Sequence, residues 1–260
     1  MKIVRFNAES FKSDYGILRD REVARLFGDI FTSFEETGDV FPLNTVKLLP
    51  PVIPPNIIVI GLNYKSHAQE LRSEFPKEPI ILTKTTNALI GPEDEIVLPR
   101  IAPDEVDYEA ELAIVIGKMA REVSERDALE YVFGYTCAND VSARDCQFKR
   151  DLQWNRAKSF DTFCPIGPCI QTEMHQDNAG IQLRLNGKIM QDSNTSDLIF
   201  PCGKLVSFLS HCMTLFPGTV ILTGTPSGVG FKRTPPVFLR KGDLVEVEIE
   251  HIGVLRNKVV

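Results

Sequence analysis

The segment that most constrains this chain is a short apolar run preceded by two acidic residues. Glu109 and Glu111 lead into residues 112–116, Leu-Ala-Ile-Val-Ile, which end at Gly117. An uninterrupted apolar run of this length, bounded by a glycine, predicts a strand that is buried on both faces. Because successive side chains of a strand point to opposite faces, we expect Glu109 and Glu111 to project side by side.

Two neighbouring carboxylates at the mouth of a buried strand repel each other and lose hydration, and a bound cation would remove both penalties. Oxygen donors with no nearby Cys or His favour a hard ion, Mg²⁺, Mn²⁺ or Ca²⁺, over zinc. The alternative interpretation is a strand that enters the protein with its acids still in water. This segment alone leaves both interpretations open.

Size and composition exclude several classes of protein. The chain has 260 residues, 43% of them hydrophobic, which is enough for one large domain with or without a small appendage. A net charge of −6 and the lack of a Lys/Arg-rich run argue against a nucleic-acid partner. The six cysteines form no C-x-x-C pair and are typical of reduced thiols. With no signal-peptide core and no apolar run of membrane-spanning length, a cytoplasmic protein that does not contact the membrane is predicted.

The first fifty residues predict a small unit of their own. Candidate strands at residues 2–6, 15–18 and 22–26 are separated by Gly and Asp turns, and residues 39–43 and 46–49 are expected to be connectors. Prolines at positions 50, 51, 54 and 55 cannot continue a ladder. We therefore predict a β-rich appendage over residues 1–52 and a main domain over residues 53–260.

A possible acid–base pair follows the next apolar strand, residues 57–61. Ser66 and Gln69 have the spacing of a capping box, which predicts a short helix that begins near Ser66. His67 and Glu70 would then be three residues apart on one helix face, where the carboxylate fixes the tautomer of the imidazole. Such a pair is able to activate a water molecule. The alternative is an ordinary surface helix with an incidental histidine.

A second polar segment follows the apolar residues 134–138. Asp140 lies where that predicted strand ends and would supply a third carboxylate. Arg144 and Gln147 are three residues apart in a helical turn, where a guanidinium and an amide suit a substrate carboxylate or carbonyl. The alternative for Arg144 is an ion pair with Asp140 or Asp145. Upstream of this segment, residues 124–133 predict a helix.

Features of the C-terminal half predict mainly β structure. Asn186-Gly187 predicts a two-residue hairpin turn, and residues 219–223 predict a strand before the glycine-rich loop 224–230. That loop lacks the Gly-Lys-Ser/Thr of a phosphate loop, but its amides and Thr225 are suited to a small carboxylate.

Taken together and in this order, five segments resemble the fumarylacetoacetate hydrolase superfamily. They are Gly61-Leu62-Asn63-Tyr64-x-x-His67-x-x-Glu70, Asp107-Tyr108-Glu109-Ala110-Glu111-Leu112, Asn139-Asp140-Val141-Ser142-Ala143-Arg144-Asp145-x-Gln147, Lys158-Ser159-Phe160-Asp161 and Gly224-Thr225-Pro226-Ser227-Gly228-Val229-Gly230. The resemblance implies an α+β, mostly β fold, in which a mixed β-roll forms the catalytic domain. It also implies a homodimer and Mg²⁺ or Mn²⁺ at the site, with Ca²⁺ able to replace them in crystals.

The resemblance also implies roles for individual residues. Glu109, Glu111 and Asp140 match metal ligands, and His67 with Glu70 matches a water-activating pair on a lid that orders when substrate binds. The positions that match substrate-contacting residues are those of Arg144, Gln147, Lys158 and Thr225, and we count Lys158 among the catalytic groups. Lys84 is a further candidate, which the resemblance does not support.

Two differences from the larger fumarylacetoacetases narrow the range of expected activities. The appendage is short, and the apolar pair Ile60-Gly61 stands where larger fumarylacetoacetases carry a further acidic ligand. The smaller branch of the family is therefore more similar to this chain. Its activities make the first expectation a metal-dependent hydrolase that cleaves a C–C bond in a small 2-oxo acid such as an acylpyruvate. The alternatives are an oxaloacetate decarboxylase or tautomerase, a 2-hydroxyhepta-2,4-diene-1,7-dioate isomerase, and a non-catalytic protein that binds a metal or a carboxylate.

Overall fold

Three β-sheets contain most of the regular secondary structure in the computed structural model, which describes residues 1–9 and 11–260. In that part of the chain the strands are β1 Lys2–Ala8, β2 Phe11–Arg19, β3 Glu22–Asp29, β4 Ser33–Pro42, β5 Lys47–Leu49, β6 Ile57–Gly61, β7 Ile80–Lys84, β8 Leu89–Ile90, β9 Glu95–Ile96, β10 Val106–Asp107, β11 Ala110–Ile116, β12 Val132–Asn139, β13 Ser142–Ala143, β14 Cys164–Gln171, β15 Gly180–Leu185, β16 Lys188–Asn194, β17 Val220–Leu222, β18 Leu244–Ile249 and β19 Gly253–Val259. The α-helices are α1 Lys65–Leu71, α2 Asn155–Lys158 and α3 Cys202–Cys212. Single turns of 3₁₀-helix lie at Leu43–Thr45, Thr86–Ala88, Ala128–Tyr131, Thr195–Asp197 and Gly230–Lys232, and Cys146–Arg150 forms a π-helical turn.

The predicted buried strand is an interior strand of the largest sheet. Every residue of β11 is buried, and β11 pairs antiparallel with β12 on one side and with β17 on the other. The sheet continues from β17 through β6 to β7 at its edge. The mostly β architecture expected from the resemblance is confirmed.

A second sheet of five strands, in the order β16-β15-β18-β19-β9, packs against the large one through contacts of β15, β18 and β19 with β11, β12 and β14. The Asn186-Gly187 hairpin joins β15 to β16 as predicted. Both turn residues have positive φ values, 52° and 78°, which is the conformation that favours Asn-Gly. A third, two-stranded sheet pairs β10 with β13.

The N-terminal strands extend the large sheet. β1 pairs with β14, with Lys2 opposite Gln171 and Ile3 opposite Ile170, and β2, β3 and β4 add to it in sequence. The expectation of connectors at residues 39–43 and 46–49 was wrong, because most of these residues belong to β4 and β5. The division into units at residues 1–52 and 53–260 stays a prediction.

Two helix predictions require correction. Residues 124–133 form only the 3₁₀ turn Ala128–Tyr131, because Val132 and Phe133 already belong to β12. Helix α1 is present, but no capping box closes it, since its N-cap residue is Tyr64 and makes no side-chain cap hydrogen bond. The Ser66 N–H donates instead to Asp197 Oδ2 at 3.0 Å, so a distant carboxylate replaces the local cap.

Candidate active site

The antiparallel pairing of β11 and β12 brings the three predicted carboxylates together. Ala110 at the start of β11 lies opposite Asn139 at the end of β12, so Glu109 and Glu111 meet Asp140 at one end of the strand pair. One oxygen from each of the three acids lies within 4.8 Å of the others, and all three residues are buried. The Asp140 N–H donates to the Glu109 carbonyl at 2.9 Å, which fixes the two segments relative to each other.

Two buried lysines hold this carboxylate cluster. The Lys158 ammonium donates to Glu109 Oε2 at 3.0 Å, to Asp140 Oδ2 and to Ser142 Oγ at 3.0 Å. The Lys84 ammonium donates to the other oxygen of Asp140 and to the Val141 carbonyl at 3.1 Å. Lys84, which the resemblance does not support as a site residue, therefore lies at the cluster, where it holds a carboxylate.

Burial and neighbouring charges shift the pKa values of these groups in opposite directions. Burial alone would raise the pKa of Glu109, but Lys158, Arg144 and His67 outweigh it and lower that pKa well below its usual range. The pKa of Glu111 is raised by burial and by repulsion from Asp140 and Glu109. Burial works against the charge of Lys158, yet Asp140 and Glu109 raise its pKa. Glu111 is thus the least compensated carboxylate of the three.

The residues present fit a divalent cation. The four buried carboxylates of Asp107, Glu109, Glu111 and Asp140 surround three buried cations, Lys84, Arg144 and Lys158, which leaves one excess negative charge when all are ionised. Glu111 has no ion pair among the described residues and accepts only the Gly224 N–H, at 2.6 Å. Addition of a divalent ion would neutralise this excess and leave a net positive site for an anionic substrate. The cluster is able to hold a metal, and the ligand roles of its three acids stay predictions.

His67 and Glu70 form the predicted pair on α1. His67 Nδ1 and Glu70 Oε2 lie 2.8 Å apart, and the His67 side chain is buried while that of Glu70 is partly exposed. A carboxylate at Nδ1 favours the tautomer that carries its proton there, which leaves Nε2 free to accept one. The other oxygen of Glu70 accepts the Gly228 N–H at 2.9 Å, so the glycine-rich loop positions the pair.

Arg144 and Gln147 lie on one face, as predicted, and the Arg144 Nη1–H donates to Gln147 Oε1 at 2.8 Å. The ion-pair partners proposed in the alternative interpretation were wrong. Arg144 donates to Asp107 Oδ2 at 2.9 Å and to Glu109 Oε1 at 2.7 Å, whereas Asp145 pairs with Arg150. The guanidinium therefore borders the carboxylate cluster from the Glu109 side.

Asp107 and Gln191 are two structural supports that sequence reasoning missed. Asp107 accepts hydrogen bonds from Arg144 and from the Gly230 and Phe231 amides, at 2.8 and 3.0 Å. Gln191 donates to Thr225 Oγ1 and to the Pro226 carbonyl and accepts the Ala110 N–H, each at 2.8 Å. Asp107 lies two residues before Glu109 but had no spacing signal of its own, and Gln191 lies in a hairpin with none.

The predicted site residues surround one cavity of about 450 Å³. Eight of the nine line it directly: His67, Glu109, Glu111, Asp140, Arg144, Gln147, Lys158 and Thr225. Glu70 reaches it through its contact with His67. The structure thus brings together an imidazole–carboxylate pair, an acidic cluster and hydrogen-bond donors in one place, an arrangement suited to moving a proton on an anionic substrate.

Comparison with known proteins identifies the family. A model of the C-terminal domain of fumarylacetoacetate (FAA) hydrolase matches residues 56–260, and a model of the Rv2993c-like N-terminal domain matches residues 1–51. The chain belongs to the fumarylacetoacetate hydrolase family. The resemblance predicted from the five segments is therefore confirmed.

Relatives in this family have several activities in their names. The oxaloacetate tautomerase Fahd2a, mitochondrial, of Rattus norvegicus is 47% identical over 85% of this chain and 72% of its own length. The 2-hydroxyhepta-2,4-diene-1,7-dioate isomerase of Mycobacterium marinum is 37% identical, with a TM-score of 0.90 over 100% of this chain and 98% of its own. A fumarylacetoacetate hydrolase of Exiguobacterium antarcticum is also 37% identical, with a TM-score of 0.90 over 100% and 99% of the two chains.

The name of the rat relative includes the mitochondrion, whereas the cytoplasm was the expectation for this chain. The cytoplasmic location therefore stays a prediction. Within residues 1–9 and 11–260, none of the helices is long and apolar enough to cross a bilayer.

Proposed function

We propose that this protein is a divalent-metal-dependent tautomerase of small 2-oxo acids, with oxaloacetate as the first substrate to test. The observation that carries the proposal is the position of the His67–Glu70 pair and the three-carboxylate cluster on the same cavity. The similarity to the rat oxaloacetate tautomerase favours this reaction over the C–C bond hydrolysis that was the first expectation. The similarity to the Mycobacterium marinum isomerase favours it too, because isomerisation of a 2-hydroxy-2,4-diene acid, which is an enol, also relocates a proton and a double bond.

Glu109, Glu111 and Asp140 would hold Mg²⁺ or Mn²⁺. When bound, the ion would supply Lewis acidity to the 2-oxo group, which makes the protons on the adjacent carbon more acidic. Lys158 and Lys84 keep the oxygens of Glu109 and Asp140 in place by donating to them. This support reduces the reorganisation that the site needs when substrate enters.

The protein's own side chains would then move one proton. In the keto-to-enol direction, Nε2 of His67 would accept a proton from C3 while the C–H electron pair becomes the C2–C3 double bond and the carbonyl π pair moves onto the C2 oxygen. That oxygen would then take the proton back from Nε2. No net proton is consumed. Glu70 stabilises the imidazolium through Nδ1, and a general base of this kind typically contributes about 10²- to 10⁴-fold in rate.

Arg144 and Gln147 would orient the substrate. The Gln147 amide oxygen accepts from Arg144, so its NH₂ group remains a donor for a substrate oxygen. Thr225 is held by Gln191 and donates its own hydroxyl to the Ala110 carbonyl at 2.9 Å. Its contribution is therefore to shape the cavity floor and to present its methyl group or backbone to the ligand.

The proposal is tested by measuring the ketonisation of the oxaloacetate enol, which is monitored through the ultraviolet absorbance of the enol. The protein loaded with Mg²⁺ should accelerate the decay of the enol, and EDTA should abolish that acceleration while excess Mg²⁺ restores it. Acceleration that survives complete removal of divalent ions would refute the metal-dependent reaction. The absence of any acceleration in the loaded protein would refute the tautomerase and would leave the hydrolase, the decarboxylase and the non-catalytic protein as the alternatives.

C–C bond hydrolysis is the second candidate, because the Exiguobacterium antarcticum relative is named a fumarylacetoacetate hydrolase. In that reaction the His67–Glu70 pair would deprotonate a water molecule that attacks the distal carbonyl of an acylpyruvate. Release of pyruvate from acetylpyruvate or fumarylpyruvate would indicate a hydrolase, because tautomerisation releases no product fragment. Release of CO₂ from oxaloacetate would indicate a decarboxylase.

The proposal includes a homodimer, on the basis of the family resemblance. Light scattering of the purified protein should give twice the mass of one 29.1 kDa chain. The partners proposed are the 2-oxo acid substrate and this second copy, without nucleic acid or membrane.

A further inference from the structure

The cavity has an apolar half that the proposed reaction does not use. Tautomerisation needs the C1 carboxylate, the 2-oxo group and C3, all of which belong at the charged floor. The nine non-hydrogen atoms of oxaloacetate, each given the ~30 Å³ that a water molecule occupies in the liquid, fill about 270 Å³. The cavity measures about 450 Å³, so a substantial part of it lies beyond such a substrate.

The first wall of this half is the edge strand β7. Side chains two residues apart point to the same face, so Lys84, Leu82 and Ile80 form a row in steps of about 6.6 Å. The row begins at Lys84, which contacts Asp140 in the carboxylate cluster. It then passes Leu82, which is 9% exposed, and ends at Ile80, which is 41% exposed. Both apolar side chains line the cavity.

The second wall is a row of three aromatic rings that also line the cavity. The Trp154 and Phe148 ring centroids lie 6.1 Å apart, and those of Phe148 and Phe231 lie 5.3 Å apart. The Phe231 ring packs on the Arg144 guanidinium at 4.4 Å, so this row also begins at the charged floor. We call the space lined by Ile80, Leu82, Phe148, Trp154 and Phe231 the apolar channel.

Hydrogen bonds between Asn155 and Thr83 hold the two walls together. Asn155 Nδ2 donates to Thr83 Oγ1 at 2.7 Å, and the Thr83 N–H donates to Asn155 Oδ1 at 3.3 Å. Thr83 lies between Leu82 and Lys84 on the opposite face of β7, and Asn155 follows Trp154 directly. The channel is therefore a built part of the site.

The channel offers little to a second carboxylate. Arg144 and Lys158, the buried cations that line the cavity, each already contact two protein carboxylates. Within residues 1–9 and 11–260, the cavity-lining cation that forms no ion pair is Lys232, which is exposed. A charged substituent that entered the channel would lose hydration with no buried partner, whereas an apolar one would gain from burial.

We infer that the site accepts 2-oxo acids whose C3 carbon carries an apolar or aromatic group, which lies in the apolar channel while the 2-oxo acid end reaches the carboxylate cluster. The substrate class is that of alkyl- and aryl-substituted pyruvates. This inference rests on the proposed tautomerisation, because that reaction fixes only the atoms from C1 to C3 and leaves the substituent on C3 open.

Phenylpyruvate and oxaloacetate form the matched pair for the first test, since they differ in whether C3 carries a phenyl ring or a carboxylate. Ketonisation of both enols is followed with the metal-loaded protein and with the variant Ile80→Asp. The ratio of kcat/KM for phenylpyruvate to that for oxaloacetate should fall about tenfold in Ile80→Asp, as expected when a channel contact becomes charged. The control variant Ile53→Asp changes an isoleucine that is 64% exposed and does not line the cavity, and it should leave that ratio unaltered.

Binding gives a second test that does not depend on turnover. Trp154 is the single tryptophan of the chain, so its fluorescence reports on the channel. Titration of 4-methyl-2-oxopentanoate, which has an isopropyl group on C3 and no aromatic absorbance, should change the emission saturably. The apparent Kd should be about tenfold lower than that for oxaloacetate and should rise in Ile80→Asp.

The outcomes separate the inference from the proposed function. Ketonisation of oxaloacetate without ketonisation of phenylpyruvate would overturn the inference and leave the tautomerase standing. An unchanged substrate ratio in Ile80→Asp would overturn it as well. Failure of both substrates would refute the tautomerase, and a lack of saturable binding of 4-methyl-2-oxopentanoate would overturn the inference whatever the activity.

Discussion

His67 is the side chain on which the proposed proton transfer depends. Replacement by Ala should lower kcat/KM for oxaloacetate ketonisation by about 10²- to 10⁴-fold, because the general base is lost while the carboxylate cluster is intact. Calorimetric titration should show unchanged Mg²⁺ affinity in the same variant. His211→Ala is the matched control, since this histidine contacts Ser207 on α3 and does not line the cavity. Turnover by His67→Ala at the wild-type rate would exclude the pair from the reaction.

Replacement of Asp107 is expected to lower the free energy of unfolding more than replacement of a surface acid does. It is fully buried, and its two oxygens accept from Arg144 and from three backbone amides, of Tyr108, Gly230 and Phe231. Without the Asp107 carboxylate, the buried Arg144 guanidinium keeps one carboxylate partner instead of two. Loss of one partner from a buried ion pair typically lowers the free energy of unfolding by about 3–5 kcal/mol. Urea unfolding of Asp107→Ala should show a loss of that size in the free energy of unfolding.

Glu36→Ala is the control for Asp107→Ala. Glu36 on β4 forms a solvent-exposed ion pair with Arg19 on β2, and exposed pairs of this kind add little to stability. Equal losses of stability in the two variants would show that the buried network around Asp107 has no special role.

The contacts that the sequence predicts correctly are those between residues at a regular spacing within one element. The structure has the predicted neighbours in three cases: Glu109 with Glu111, His67 with Glu70, and Arg144 with Gln147. The partners of Arg144 were not predictable, because Asp107 and Glu109 reach it through tertiary pairing of β10 with β13 rather than through helical spacing. Gln191 was missed for the same reason: its partners lie 34, 35 and 81 residues away in sequence.

The loop after β17 links the floor of the site to the His67–Glu70 pair. Its Gly230 lies where a Cβ would overlap the Val237 carbonyl oxygen and would stand 2.5 Å from Asp107 Oδ1. Gly230→Ala should therefore lower the free energy of unfolding by about 1–3 kcal/mol, as overpacking does, and should raise KM because Asp107 also holds Arg144. Thermal unfolding and steady-state kinetics measure the two effects.

Gly180→Ala provides the comparison for Gly230→Ala. A Cβ at Gly180 would meet its nearest neighbour, an oxygen of Glu250, at 3.8 Å, which is ordinary contact. This substitution should change stability by well under about 1 kcal/mol. A Gly230→Ala protein as stable and active as Gly180→Ala would contradict the close packing of the loop.

Element boundaries that depend on local signals were predicted better than those set by distant partners. The apolar runs of β6, β11, β12 and β17 and the Asn186-Gly187 turn all appear where expected. The capping box of α1 failed because Asp197, 131 residues later, takes the Ser66 amide. The predicted helix over residues 124–133 failed because pairing with β11 draws its last two residues into β12.

The N-terminal strands are predicted to be inseparable from the rest of the protein. Ile3, Val4 and Phe6 of β1 are fully buried, and β1 covers the edge of β14. A fragment of residues 53–260 would expose that strand edge and the apolar surface beneath it, which favours association between chains. Light scattering should show aggregation of the fragment under conditions in which the full chain is monodisperse.

A monodisperse and fully active fragment would instead show that the division near residue 52 separates two independent units. The prolines at positions 50–55 predicted a boundary there, and the two family matches also meet near it. The pairing of Lys2 with Gln171 could not be predicted, since a register across about 170 residues has no local signal. The family segments predicted the fold as a whole, but not the order of strands in its largest sheet.

All of the proposed chemistry depends on a divalent ion held by acids from two chain segments. Electron paramagnetic resonance of Mn²⁺ titrated into the metal-free protein measures this directly, with Glu111→Gln and Asp140→Asn alongside the exposed control Glu250→Gln. We expect one Mn²⁺ per chain and an affinity at least about tenfold lower in the two cluster variants, a loss typical even of residues that only support a ligand. Binding of no Mn²⁺ by the intact protein, or equal affinity in all three variants and the wild type, would contradict the assignment of the metal site.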